Sequence, residues 1–108
     1  MDIQITAKKI EIPQDIREYA REKISKLEKF NHRVQSVDTV IKAEERHILC
    51  EAIIRVENRS PIIIEVSADT IQAAVDLTVE KCERQLRKDK ERDSVRRRQS
   101  SAAKNEER

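Results

Sequence analysis

The chain contains no glycine and no tryptophan, and its only aromatic residues are Tyr19 and Phe30. Without glycine there can be no phosphate-cradling loop of the P-loop or dinucleotide type, because close backbone approach there needs a residue without Cβ. Tight turns must instead use Asn, Asp, Ser or Pro. With so few aromatics the core must be aliphatic, and platforms for stacking unpaired bases are not evident. No apolar run is long enough to cross a membrane, and no signal peptide is expected. Cys50 and Cys82, with His32 and His47, show no metal-ligand spacing. Both cysteines fall at inward positions and are expected to be reduced core residues, with a disulfide between them left open. There is no nucleophile–base pairing and no cofactor fingerprint, so no enzyme is expected. Asp76 has no partner carboxylate or histidine at suitable spacing and reads as a helix-surface or local hydrogen-bonding residue.

What the chain does have is charge, at 41% of its 108 residues, with a net of only +2. That length suits one domain with one modest core. The charge is polarised. From Val37 to Asp69 there are four basic and seven acidic residues, a net of −3. From Lys81 to Arg98 there are nine basic and four acidic, a net of +5. Such polarity orients a protein on a charged surface.

The last third is the most informative part. Ile71, Ala74, Val75, Thr78, Val79, Cys82 and Leu86 recur at spacings of three and four, which predicts a helix with one packed face. Asp89 interrupts the stripe, so packing is expected to end near Leu86. Lys81, Arg84, Lys88 and Arg92 line one flank, with no interleaved acid. A helix anchored at its start and cationic at its end suits a polyanion, usually nucleic acid.

Earlier, Ile3, Ile5 and Ala7 alternate as a first strand. Pro13 introduces a helix from Gln14 to about Phe30, carried by Ile16, Tyr19, Ala20, Ile24, Leu27 and Phe30. Lys23, Lys26, Lys29 and Arg33 cluster on its flank, where Lys23 must snorkel and Glu22 can pair with Lys26. Three strands follow, around Val37–Ala43, Ile48–Val56 and Ile62–Val66, with turns at Glu45-Arg46 and Asn58-Arg59-Ser60. One face of this sheet is apolar and the other largely polar, the pattern of a half-buried antiparallel sheet. Asp69 or Thr70 can cap the last helix. The order β-α-β-β-β-α predicts an α+β two-layer sandwich, a four-stranded sheet with both helices on one face. Its β-α-β crossover should be right-handed if the strands are parallel neighbours. The domain is expected over residues 1–92, with 93–108 a basic and disordered tail.

Three stretches of this frame carry a resemblance: IQITAKKIEI at the start, IREYAREKISKLEKF in the first helix and AAVDLTVEKCERQLRKDK in the last. Together they resemble the ribosome hibernation-promoting factor and ribosome-associated inhibitor A family, formerly labelled sigma-54 modulation proteins. The resemblance implies a non-enzymatic stress factor, without cofactor or small-molecule substrate, that binds the small ribosomal subunit and its rRNA near the decoding region. There it would occupy space needed by messenger RNA, transfer RNA and initiation factors. It further implies a cytoplasmic short form, monomeric off the ribosome, without the extra C-terminal dimerisation domain of the long forms. The matching basic positions are Lys8 after the first strand, Lys23, Lys26 and Lys29 on the first helix, and Lys81, Arg84, Arg87, Lys88 and Lys90 on the last. Arg92 continues that flank. Thr70, Ile71 and Gln72 stand where the family often has Asp-Met-Tyr, and Asn58 or Ser60 replaces a turn glycine.

The expected mechanism is electrostatic docking, in which cations on two neighbouring helices contact phosphates and release counterions, while RNA shape supplies specificity. The alternative is a protein-interaction module, its net acidic sheet face binding a basic partner such as a sigma factor. For the cations of the first helix, a solvated charged face is the plainer reading; for the Lys81, Arg84, Lys88 and Arg92 flank, which no acid interleaves, polyanion binding is the stronger one.

Overall fold

In the computed structural model the order is β1 (Asp2–Lys8), α1 (Gln14–Ser25), β2 (Val34–Ala43), β3 (Ile48–Val56), β4 (Ile62–Ala68) and α2 (Ile71–Glu106). The structure describes the backbone of residues 1–106 and the side chains of residues 1–90. A disordered tail is expected over 93–108; the backbone continues as helix to Glu106, and the side chains of that stretch lie outside the described residues.

The sheet runs β1-β2-β3-β4 in space as in sequence. β1 pairs parallel to β2, and the other two pairings are antiparallel. The register stacks the inward residues in rows. Ile3, Val37, Ile54 and Ile62 form one row; Ile5, Thr39, Ala52 and Ile64 the next; Ala7, Ile41, Cys50 and Val66 a third. Strand side chains alternate between faces, so each row follows from the apolar period of two. Both helices pack on this face, with Ala20, Ile24, Ala74, Val75, Cys82 and Leu86 buried against it.

Several details depart from the sequence expectation. The first helix leaves the α-form at Ser25 and tightens into a 3₁₀ turn over Lys26–Lys29, which buries Leu27. β2 starts three residues early and carries a bulge between Val34 and Ser36. The open face of the sheet is less polar than alternation suggested. Val40, Leu49 and Ile53 are half-buried there, and Ile63 is 64% exposed. Single aliphatics on an open sheet face are ordinary, because β-branched side chains fit the pleat.

Thr70 proves to be the cap of α2, its Oγ1 accepting from the Ala73 amide at 3.1 Å. Without glycine, the two left-handed backbone positions fall on Lys9 (φ 60°) and Asn58 (φ 62°). Asn tolerates this region better than most residues, and Asn58 stands in the β3–β4 turn where a glycine would be the default.

Cys50 and Cys82 are both free and fully buried. Burial pushes the Cys50 thiol up, opposed by a hydrogen bond with Thr78. Burial, reinforced by the neighbouring Cys50, pushes Cys82 up to about 12. At neutral pH both are inert, protonated core residues.

Candidate nucleic-acid interface

Three contacts fix how the helices lie. The Tyr19 hydroxyl donates to Asp76 Oδ1 at 2.5 Å. The Arg87 guanidinium sits 4.8 Å over the Phe30 ring. Asn31 Nδ2 donates to Asp89 Oδ2 at 3.4 Å. The partners are 57, 57 and 58 residues apart. A near-constant offset means that α1 with its 3₁₀ extension runs parallel to α2. The same offset sets Lys23, Lys26 and Lys29 level with residues 80–86 of α2.

On the α1 side, Lys23 is half-buried, its Nζ 5.5 Å over the Tyr19 ring. The expected snorkel is therefore anchored on an aromatic face, a cation–π contact. Lys26 is exposed and pairs with Glu22 at 3.8 Å. The 3₁₀ turn eclipses residues three apart, so Lys26 and Lys29 stack along one line.

α2 divides its cations between two sides. Arg87 faces α1 through Phe30, and Lys90, three residues on, follows on that side. Lys81, Arg84 and Lys88 face the other way, toward the edge of β4. The β4-facing flank is less free of acids than the spacing predicts, since Arg84 pairs with Glu80 at 3.3 Å; on the α1-facing side Arg87 pairs with Glu83 at 3.2 Å. Both are exposed i,i+4 pairs, worth little and readily exchanged for another anion. Lys29, Lys81, Lys88 and Lys90 are exposed and make no ion pair among the described residues.

Lys8 stands apart from this set. It is the last residue of β1, in register with Lys42, on the open face opposite the helices. The side chain of Arg92 lies outside the described residues. Two basic residues absent from the sequence-based set, Arg17 and Arg21, donate to the Ile5 and Ile3 carbonyls at 3.0 and 3.3 Å. They secure α1 to the edge of β1 and hold the Lys23–Lys29 flank in place. Only the parallel pairing of β1 reveals that those carbonyls need donors.

Among the described residues no group of three or more His, Cys, Asp or Glu could hold a metal ion. No helix there is long and apolar enough to cross a membrane.

These features define a class: a two-layer α+β domain whose exposed cations are concentrated on two parallel helices. The chain belongs to the sigma 54 modulation protein / S30EA ribosomal protein family, whose model matches residues 3–94. Among its relatives, a ribosome hibernation promoting factor of Azotobacter vinelandii is 30% identical over 92 residues, covering 85% of each chain. The ribosome hibernation promoting factor of Escherichia coli is 32% identical over 92 residues, covering 85% of this chain and 96% of its own. The fold matches that of a ribosomal subunit interface protein from Coxiella burnetii, with a TM-score of 0.77 and 23% identity over 83% of this chain and 98% of that one. It also matches the Thermus thermophilus Protein Y N-terminal domain, with a TM-score of 0.71 and 20% identity over 82% and 98%.

Proposed function

We propose that this protein is a non-enzymatic ribosome hibernation factor that works in the cytoplasm and docks on the small ribosomal subunit near the decoding region. The docking domain is residues 1–92, and its contacts are the helix cations Lys23, Lys26, Lys29, Lys81, Arg84, Arg87, Lys88, Lys90 and Arg92, with Lys8 a separate contact from the sheet. Bound there, it keeps messenger RNA, transfer RNA and initiation factors out. The observation that carries the reading is the parallel register of two cation-bearing helices, with Lys29, Lys81, Lys88 and Lys90 exposed and unpaired among the described residues. The names of the relatives support the ribosome as partner. Phosphate contacts would fix position and rRNA shape would supply specificity.

The test is co-sedimentation with purified small and large subunits across a salt series. About five phosphate contacts predict a log–log slope on the order of −3 to −4. Pelleting with the small subunit alone, at that slope, is the expected result. The combined Arg84→Glu, Arg87→Glu and Lys88→Glu variant should melt as a folded protein and not pellet. Salt-insensitive pelleting, or retained binding by the folded variant, would overturn the docking mode. No pelleting with either subunit would overturn the function.

A further inference from the structure

The sheet has two edges, and side chains take carbonyls at only one of them. At the β1 edge, Arg17 and Arg21 take the Ile5 and Ile3 carbonyls. At the other edge the phase of the ladder decides what is left over. The Glu44 amide donates to the His47 carbonyl at 2.9 Å, which makes that residue pair hydrogen-bonded. Antiparallel pairs alternate, so Leu49, Glu51 and Ile53 bond to β2, and Cys50, Ala52 and Ile54 bond to Val66, Ile64 and Ile62 of β4. Ile63, Glu65 and Ser67 therefore turn their N–H and C=O groups outward. Among the described residues, nothing beyond the sheet hydrogen-bonds them.

Beside this edge lies a groove of about 350 Å³, walled by Ile63, Ile64 and Glu65 on one side and by Lys81, Arg84 and Lys88 on the other. Its lining carries three cations against one carboxylate, and of the three Arg84 already holds the exposed carboxylate of Glu80, which an incoming anion would displace. Lys81 to Lys88 spans about 10 Å of helix rise. Three alternate residues of an extended strand span about 13 Å. A strand added to β4 would thus present every second side chain to the three cations, and the intervening ones to the open face beside Ile63.

We infer that the groove between β4 and α2 receives an extended acidic segment of a protein partner, added as a fifth strand, with Asp or Glu at alternate positions facing Lys81, Arg84 and Lys88. Main-chain pairing supplies affinity and the alternate carboxylates supply selectivity. Two other occupants fit less well. A second copy of this chain, paired β4 to β4, would bring two such cation rows together. Nucleic acid could neutralise the cations, but a phosphate has no donor for the outward carbonyls of Ile63, Glu65 and Ser67. The inference does not rest on the ribosomal reading. The two share Lys81, Arg84 and Lys88, so an occupied groove would compete with RNA.

The probe is a capped nonapeptide alternating glutamate and valine. Its control has the same composition in two blocks. With the alternating peptide bound, amide exchange at Ile63, Glu65 and Ser67 should slow at least tenfold, with no change at the β1 edge. Affinity should fall at least fivefold in the Lys81→Gln, Lys88→Gln double variant. Ile63→Pro removes one outward N–H at an edge position that tolerates proline, and it should abolish peptide binding while leaving ribosome pelleting unchanged. Should that variant not fold, the amide pattern and the lysine variant decide. Unchanged exchange at the three amides, equal binding of the block peptide, or protection arising from self-association or from an RNA oligonucleotide instead would each overturn the proposal.

Discussion

Asp89 of α2 accepts the Arg59 guanidinium from the β3–β4 turn on one carboxylate oxygen, while the Asn31 amide donates to the other. The residue that breaks the apolar stripe is thus an anchor, tying the helix to two loops beyond Leu86. Its side chain is 13% exposed and that of Arg59 33%, between the surface and buried regimes. Asp89→Ala should cost about 1–2 kcal/mol in urea unfolding. Arg59→Ala should cost a similar amount, and the double variant little more than either alone. Additive losses would show that the pair does not act as a unit.

Tyr19 and Asp76 join the two helices at their other end. Tyr19→Phe keeps the ring under Lys23 and removes only the hydroxyl, so it should destabilise by about 0.5–1.5 kcal/mol. An unchanged denaturation midpoint would mean that the contact contributes nothing net.

Thr39 is the one buried side chain whose polar atom lacks a hydrogen-bond partner among the described residues. It sits mid-sheet in an otherwise aliphatic row between Ile5 and Ala52. Thr39→Val keeps the shape and removes the unpaired hydroxyl, so stability should rise by about 1 kcal/mol. A fall in melting temperature would contradict the placement of that oxygen.

The buried thiols set an alkaline limit. An unfolded cysteine ionises near pH 8.5, whereas Cys82 in the fold holds its proton to about 12. Above the lower value the unfolded chain binds fewer protons than the folded one, so stability is full below about pH 8.5 and falls as pH rises toward 12. The melting temperature should drop over that window, and Cys82→Ala should flatten the slope. Native protein should resist thiol alkylation that the unfolded chain undergoes. Rapid modification under native conditions would contradict the burial.

The period-two runs from Val37 to Val66 carried the sheet plainly, and the spacing from Ile71 to Leu86 carried the packed face of α2. The switch to 3₁₀ at Lys26 was not readable, since a stripe through Leu27 and Phe30 fits either winding. Nor was the role of Asp89, whose partners arrive from loops 30 and 58 residues away. The cationic positions were legible as a list. The spacing also grouped Lys81, Arg84 and Lys88 on one flank, but which neighbour that flank faces, β4 and not α1, was not readable, because it depends on where α2 crosses the sheet.

The strand order equals the chain order, and this has a consequence in time. Closing β2 onto β3 requires only the short turn at Glu44–His47, whereas β1 reaches β2 only across the whole α1 crossover. Chain-closure entropy grows with the segment enclosed, so the meander of β2, β3 and β4 should assemble first and β1 should dock late, drawn in with the arginines of α1. In pulsed hydrogen exchange during refolding, amides of β3 should gain protection before those of β1. The opposite order would mean that the crossover unit nucleates the fold.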